Sequence, residues 1–145
     1  FRREYRALCL GCPQPGRGTV DAPIGREEAS AVARKVRPDG APAVSHYEVL
    51  ARGDGLSLLA LRPETGRTHQ LRVHMAHLGC PLAGDWLYGV EDPGLIPRPA
   101  LHSYRMMLEH PVTGERVEVS APLPGDMRRL LQERFPPGAA RHKEA

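Results

Sequence analysis

The chain contains 145 residues with a formal net charge of +3 and an isoelectric point near 9.0, and 41% of its residues are hydrophobic. This length suits a single domain, and no apolar run approaches the roughly 20 residues that a helix needs to cross a bilayer. We therefore expect a cytoplasmic protein without a membrane partner. The mild positive charge permits RNA binding without requiring it.

The first half of the chain alternates between apolar runs and turn residues, which is typical of strands. Residues 3–10 form one predicted strand. Residues 46–52 and 56–61 form two more, joined as a hairpin by a Gly-Asp-Gly turn. Between these elements, residues 27–37 are compatible with a short helix or a disordered excursion.

A helix is predicted from about Thr68 to Leu78, because the apolar spacing changes there from alternating to helical. Thr68 offers an N-cap hydroxyl, and Gly79 is expected to end the helix. The apolar stripe of this helix consists of Leu71, Met75 and Leu78. The side chains expected to project elsewhere are Gln70, Arg72, His74 and His77.

The last third of the chain predicts a second hairpin and a closing helix. Residues 101–108 and 116–120 are the paired strands, and residues 126–135 form an amphipathic helix. Sheets built from hairpins are mainly antiparallel. We therefore expect an α+β fold, a mainly antiparallel mixed sheet with flanking helices on one side.

The N-terminal end of the helix over 68–78 is a candidate anion site. Free backbone N–H groups and the positive end of the helix dipole favour a phosphate or carboxylate there, and Arg67 and His69 add positive charge. A solvated basic helix face is the alternative interpretation.

The three cysteines do not indicate a disulfide framework, because their number is odd. Cys9 and Cys12 lie at the end of an expected strand, unlike a thioredoxin-like redox pair, which opens a helix. A zinc site would need Cys80 together with His74 or His77, and this spacing matches no familiar zinc motif. We expect neither a metal nor a cofactor.

Residues 66–74 read Gly-Arg-Thr-His-Gln-Leu-Arg-Val-His, and residues 79–89 read Gly-Cys-Pro-Leu-Ala-Gly-Asp-Trp-Leu-Tyr-Gly. These stretches resemble the two hallmark motifs of the RluA-type RNA pseudouridine synthases. Further segments that resemble motifs of this family, in the same order along the chain, are residues 4–11, 19–26, 43–49 and 101–102. The matches extend over most of the chain, so it is identified as a member of this family.

The resemblance implies an isomerase that converts a uridine of ribosomal or transfer RNA to its C-glycoside isomer without a cofactor or metal. The target base must leave its stack to be reached. The resemblance implies that Arg72 keeps a nucleophilic aspartate ionised by lowering its pKa. It implies that Tyr5 stacks on the uracil and takes the C5 proton with its hydroxyl. The residues implied for RNA contact are Arg67, His69, Gln70 and His74.

The family's nucleophile lies in a His-Arg-Leu-Asp segment, followed by Thr-Ser-Gly, upstream of the tyrosine strand. The 145 residues contain no such segment, and none of their aspartates, including Asp21 and Asp85, has a comparable setting. We therefore expect residues 1–135 to be the C-terminal part of a pseudouridine synthase catalytic domain whose N-terminal part is missing. Residues 136–145 are expected to form a flexible tail, and the chain alone is expected not to isomerise uridine.

Two alternatives remain open at this point. A non-catalytic RNA-binding or assembly module would keep the groove without the nucleophile, and its affinity would fall steeply with salt. An inactive fragment would fail to fold, because a half-sheet exposes an unpaired apolar edge. A cooperative unfolding transition would argue for a folded module.

Overall fold

The computed structural model describes residues 2–137, which form a six-stranded sheet, a two-stranded sheet and two helices. The strands are β1 (Arg2–Leu10), β2 (Arg17–Asp21), β3 (Ile24–Arg26), β4 (Arg34–Val36), β5 (Val44–Gly53), β6 (Leu56–Pro63), β7 (Leu101–Glu109) and β8 (Arg116–Ser120), and the helices are α1 (Gln70–His77) and α2 (Gly125–Arg134). The large sheet has the order β2-β5-β6-β1-β7-β8, the small sheet pairs β3 with β4, and these pairings are antiparallel. The predicted α+β class is confirmed.

Both predicted hairpins form. The turn between β5 and β6 places Asp54 at φ 46° and Gly55 at φ 77°, and two consecutive positive φ angles suit the twist of a two-residue hairpin turn. Asp tolerates this backbone region and Gly adopts it freely. The strands β7 and β8 pair around a turn in which Gly114 has φ 72°.

The central strands β1 and β6 are buried on both faces. Successive side chains of a strand point to opposite sides of a sheet. Ala7 belongs to a core cluster with Leu71 of α1, whereas its neighbour Leu8 belongs to a second cluster with Leu131 of α2. The helices therefore cover opposite faces, and the prediction that they share one side is wrong. Coverage of both faces explains why β6 is buried from Leu56 to Leu61 rather than alternating.

Residues 27–37 form neither a helix nor a disordered excursion, so both predictions for this segment are wrong. The Ser30 hydroxyl accepts hydrogen bonds from the backbone N–H groups of Val32 and Ala33, which favours a turn. The chain then runs back as β4, and Val36 pairs with Ile24 of β3. Burial of these apolar side chains near α1 outweighs the weak helical pattern.

The helix α1 begins two residues later than predicted. Its N-cap is His69, which has a left-handed backbone with φ 56°, and no side chain caps the helix. The predicted Thr68 hydroxyl cap is therefore wrong. The C-terminal end agrees with the prediction, because Gly79 adopts φ 84° directly after the C-cap residue Leu78.

The edge strands of the large sheet are polar. β2 and β8 are mostly exposed, and β8 alternates charged or hydroxyl residues with valine. Charged edge strands resist pairing with other chains. Among residues 2–137 the sheet thus lacks the long apolar edge expected of a half-sheet, and no helix there is long and apolar enough to span a membrane. Most of the predicted tail, residues 138–145, lies outside the described residues.

Replacement of Leu131 tests the packing of α2 on the sheet. Leu131 is 2% exposed, so Leu131→Ala should lower the free energy of unfolding by about 3 kcal/mol through lost burial and a cavity. Gln132→Ala, at the exposed neighbouring position, should change it by less than about 0.5 kcal/mol. Cooperative urea unfolding of the wild type is expected. A non-cooperative melt, or equal effects of both variants, would contradict this packing.

Candidate functional site

A groove of about 260 Å³ lies at the N-terminal end of α1, bordered by β1 and the loop between β6 and α1. The predicted site residues that line it are Tyr5, Arg67, His69, Gln70 and Arg72. The other lining residues are Arg3, Pro63, Thr65, Gly66, Leu71 and Leu101. The fold thus brings together two segments that lie far apart in sequence. Of the predicted residues, His74 lies elsewhere.

Tyr5 enters the groove from the central strand β1, where it lies opposite Leu61 of β6 and Ser103 of β7. The register with β7 shifts between Glu4 and Tyr5. Irregularities of this kind change the direction in which side chains point and are common near functional sites. The Tyr5 side chain packs partly against the core beneath α1 and also lines the groove. An aromatic ring placed in this way is able to stack on a planar ligand.

Arg72 is held by a two-pronged ion pair with Asp85. The Arg72 Nε donates to Asp85 Oδ2 at 3.0 Å, and Nη2 donates to Oδ1 at 2.8 Å. The Asp85 side chain is fully buried, whereas that of Arg72 remains 14% exposed toward the groove. Paired hydrogen bonds of this geometry fix the plane of the guanidinium as well as its position.

Asp85 also organises the loop that follows. Its Oδ1 accepts the backbone N–H groups of Leu87 and Tyr88, each at 3.1 Å, and its carbonyl accepts that of Gly89. The sequence analysis predicts no role for Asp85. The sequence feature that points to this ion pair is the Gly-Asp-x-x-Tyr-Gly pattern. It places an aspartate in a tight turn after an arginine-bearing helix, and a buried aspartate needs a cationic partner.

His69 occupies a strained position at the start of α1. A left-handed backbone costs a residue with a side chain of order 1 kcal/mol, and such residues concentrate at functional sites. The His69 Nδ1 lies 2.7 Å from the Tyr88 hydroxyl, which itself accepts the backbone N–H of Arg34. The phenol proton is therefore free to be donated to Nδ1. Partial burial, together with the charges of Arg72 and Arg34, lowers the pKa of His69 and favours this neutral form.

The Gln70 side chain has both ends occupied within the protein. Its Oε1 accepts from the Thr65 hydroxyl and the Arg67 backbone N–H, and its Nε2 donates to the Val44 carbonyl and the Ser45 hydroxyl. Gln70 is 4% exposed. The amide therefore joins α1 and the preceding loop to β5, and it shapes the wall of the groove.

His74 is fully buried, and its predicted contact with RNA is not compatible with this position. Its Nε2 lies 2.9 Å from the Ala22 carbonyl and must donate to it, so the neutral Nδ1 accepts from the Ser45 hydroxyl at 2.8 Å. Burial lowers the pKa of His74. The helical pattern predicts a polar face here, whereas β5 and the segment between β2 and β3 enclose the imidazole and make it an internal hydrogen-bonding group.

The charged residues that line the groove are all basic. Arg3, Arg67 and Arg72 contribute guanidinium groups, and the described lining contains no Asp or Glu. The Arg67 Nε donates to the Pro42 carbonyl, and the Arg67 side chain is exposed. The Gln70 N–H donates to the Arg67 carbonyl, and the next N–H groups of α1, those of Leu71 and Arg72, belong to the first helical turn, where the helix itself supplies no acceptor. The groove is therefore suited to a planar, anionic ligand.

The cysteines take no part in this groove. Cys9 and Cys80 are buried as free thiols in the core beneath α1, and burial raises the pKa of each thiol. Within residues 2–137, no group of three or more His, Cys, Asp and Glu side chains is arranged to hold a metal ion.

The fold is that of RNA pseudouridylate synthase domains. The solved structure of human RNA pseudouridylate synthase domain containing 1 matches with a TM-score of 0.72 and 31% identity, over 90% of this chain and 64% of that one. The family model for RNA pseudouridylate synthase matches residues 1–77. The chain therefore belongs to the RNA pseudouridylate synthase family, as the sequence motifs predicted.

The chain is also similar to curated bacterial proteins. An uncharacterized RNA pseudouridine synthase of Bacillus subtilis, YjbO, is 48% identical over 131 residues, 90% of this chain and 46% of the relative. Ribosomal large subunit pseudouridine synthase D of Haemophilus ducreyi is 42% identical over 148 aligned positions, 90% of this chain and 44% of the relative. The chain thus spans a little under half the length of these relatives.

Neutralisation of Asp85 tests the ion pair. Asp85→Asn keeps the shape of the side chain but leaves Arg72 without its anionic partner, so the free energy of unfolding should fall by about 3 kcal/mol. Asp21→Asn, at an exposed carboxylate, should change it by less than about 0.5 kcal/mol. Denaturant unfolding measures both. An Asp85→Asn effect as small as the control would exclude a dominant role for this pair.

His74 should make the stability of the fold depend on pH. The pKa of His74 is lower in the folded protein than in the unfolded chain, so the unfolded chain binds the proton first as the pH falls. Neutral His74 contributes fully to the free energy of unfolding above about pH 6.5, which is the pKa of the side chain in the unfolded chain. This contribution is lost as the pH falls below that value. The nearby charges are His77, which lowers the pKa, and Asp21, which raises it.

Unfolding free energies of the wild type and His74→Gln, measured between about pH 7.5 and pH 5, test this dependence. The variant should lose less stability on acidification than the wild type. His110→Gln, at an exposed turn position, should retain the wild-type slope. An unchanged slope in His74→Gln would show that the buried imidazole does not carry the effect.

Proposed function

We propose that this chain forms the tyrosine and arginine side of a pseudouridine synthase active site that acts on uridine in structured RNA. The observation that carries the proposal is the convergence of Tyr5, Arg67, His69 and Arg72 in one basic groove. Membership of the family supplies the reaction class. The groove supplies a site in which an extruded base and its phosphates would meet these four side chains.

The reaction is an isomerisation, so the atoms of uridine are conserved. The bond between C1′ and N1 breaks, a bond between C1′ and C5 forms, the proton leaves C5, and N1 gains a proton. Tyr5 is proposed to stack on the uracil ring and to accept the C5 proton through its hydroxyl. Its position on β1, half-buried and facing the groove, supports this role.

Arg72 is proposed to hold the nucleophilic carboxylate in its ionised form. Asp85 occupies Nε and Nη2 of Arg72, and no described residue accepts a hydrogen bond from Nη1. That nitrogen is proposed to donate to a second carboxylate. A carboxylate beside a guanidinium has a lowered pKa and so remains able to attack C1′.

The nucleophile itself is not assigned to this chain. Asp85 is fully buried and already bonded to Arg72, Leu87 and Tyr88, so it has neither the access nor the free lone pairs for attack. The His-Arg-Leu-Asp segment of the family does not occur in the 145 residues. The proposal therefore holds that the chain alone binds RNA but leaves uridine unchanged.

The proposed substrate is a ribosomal or transfer RNA, and the relatives named as ribosomal large subunit enzymes favour ribosomal RNA. Arg67 and the start of α1 are proposed to bind phosphates, and His69 to contact the RNA through its exposed edge. Gln70 is proposed to act by shaping the wall. Since phosphate contacts release counterions, affinity should fall steeply as salt is raised.

The test uses a chimera, in which residues 1–135 replace the matching part of the Bacillus subtilis relative that is 48% identical. RNA labelled with tritium at uridine C5 reports the reaction, because the C5 proton is released. The chain alone should release no tritium, and the chimera should release it. Tyr5→Phe and Arg72→Ala in the chimera should reduce the rate by at least about 100-fold, as expected for lost proton transfer and nucleophile activation.

Tyr104→Phe, at a tyrosine that does not line the groove, is the matched control and should retain full activity. If a folded chimera binds RNA and Tyr5→Phe and Arg72→Ala retain full rates, the assigned roles are wrong. An inactive chimera that binds RNA would favour a non-catalytic RNA-binding module.

A further inference from the structure

Trp86 is the single tryptophan of the chain, and it is 56% exposed. Among the large hydrophobic side chains that are exposed in residues 2–137, it is the one aromatic. It lies beside the groove: the guanidinium carbon of Arg72 is 5.8 Å from the centre of its ring. An exposed tryptophan at the border of a basic groove is a candidate contact for a ligand with flat, unpaired rings.

Hydrogen bonds to Asp85 hold the backbone of the loop that carries Trp86. The buried Asp85 carboxylate accepts the N–H groups of the two residues that follow Trp86, and the Asp85 carbonyl accepts the N–H of Gly89. This turn holds the flanking backbone inward and leaves the indole outside. A tryptophan has only two side-chain torsions, so little side-chain conformational entropy is lost when a ligand stacks on it.

The charge around Trp86 favours RNA over an apolar partner. The Arg72 guanidinium lies 5.8 Å from the centre of the ring, within the range of a cation–π interaction, and Arg67 and Arg3 line the adjoining groove. A polyanion whose bases are unpaired satisfies both features, because its phosphates meet the cations while a base meets the indole. When a uridine leaves its stack to enter the groove, its neighbour in the RNA loses a stacking partner.

We propose that Trp86 stacks on the base next to the target uridine and so replaces the partner that the extruded uridine removes. The inference rests on the proposed function, since it requires a uridine in the groove. It assigns to Trp86 a role in binding flanking RNA, separate from the proposed chemistry of Tyr5 and Arg72. The expected ligand is a single-stranded loop rather than a continuous duplex.

The test measures affinities of the full chain for two labelled RNAs, a stem-loop with uridines in the loop and a fully paired duplex. Trp86→Leu should weaken stem-loop binding by about 5- to 100-fold, the range for loss of one stacked base, and should leave duplex binding unchanged. Trp86→Phe, which keeps an aromatic face, should retain affinity within about threefold. In the wild type, the tryptophan fluorescence should be quenched by the stem-loop.

Two further variants separate this inference from the proposed function. Arg67→Ala should weaken binding of both RNAs through a lost phosphate contact, and Val112→Ser, at an apolar position that is 86% exposed on another turn, should change nothing. If Arg67→Ala weakens RNA binding and Trp86→Leu does not, the stacking role of Trp86 is wrong, and the assignment of the groove as the RNA site still holds. Equal losses on stem-loop and duplex with Trp86→Leu would also overturn stacking. If no RNA binds, or Arg67→Ala has no effect, the groove itself is misassigned.

Discussion

The buried ion pair between Arg72 and Asp85 is the interaction on which the site depends. Removing a carboxylate from water is costly unless a cation and further donors replace the lost hydration, and here Arg72 and two backbone N–H groups do so. The same carboxylate therefore determines two positions at once. It directs a guanidinium into the groove and shapes the turn that carries Trp86 outward and Tyr88 toward His69.

Beneath this pair, uncharged hydrogen bonds attach α1 to the sheet. Gln70 donates to Ser45, Ser45 donates to His74, and His74 donates to Ala22, so each of these three buried side chains has a partner. This series of hydrogen bonds requires a neutral imidazole, because Nδ1 must accept while Nε2 donates. The lowered pKa of His74 agrees with this requirement. The polar residues of the family motif thus divide into two sets. One set faces the groove, and the other set attaches to the sheet the helix that carries the first.

Much of the fold was predictable from local pattern. The two hairpins followed from alternating apolar residues around glycine-containing turns, and the grouping of Tyr5 with Arg72 followed from ordered motifs. Periodicity does not reveal which face of a sheet a helix covers, so the prediction that both helices lie on one side is wrong. Nor does it show that β5 and the segment after β2 pack on the polar side of α1, so the burial of His74 does not follow from the sequence pattern. The partner of Arg72 escaped prediction because burial of Asp85 is a tertiary property.

Whether an unpaired uridine of RNA occupies the groove is tested most directly by nuclear magnetic resonance. Backbone amide shifts of the chain would be followed during titration with a stem-loop that carries uridines in its loop. The largest changes should cluster at Tyr5 and at residues 65–72, where β1 and the start of α1 meet. Changes confined to α2 or to the edge strand β8, with the groove unaffected, would contradict the assignment of this site.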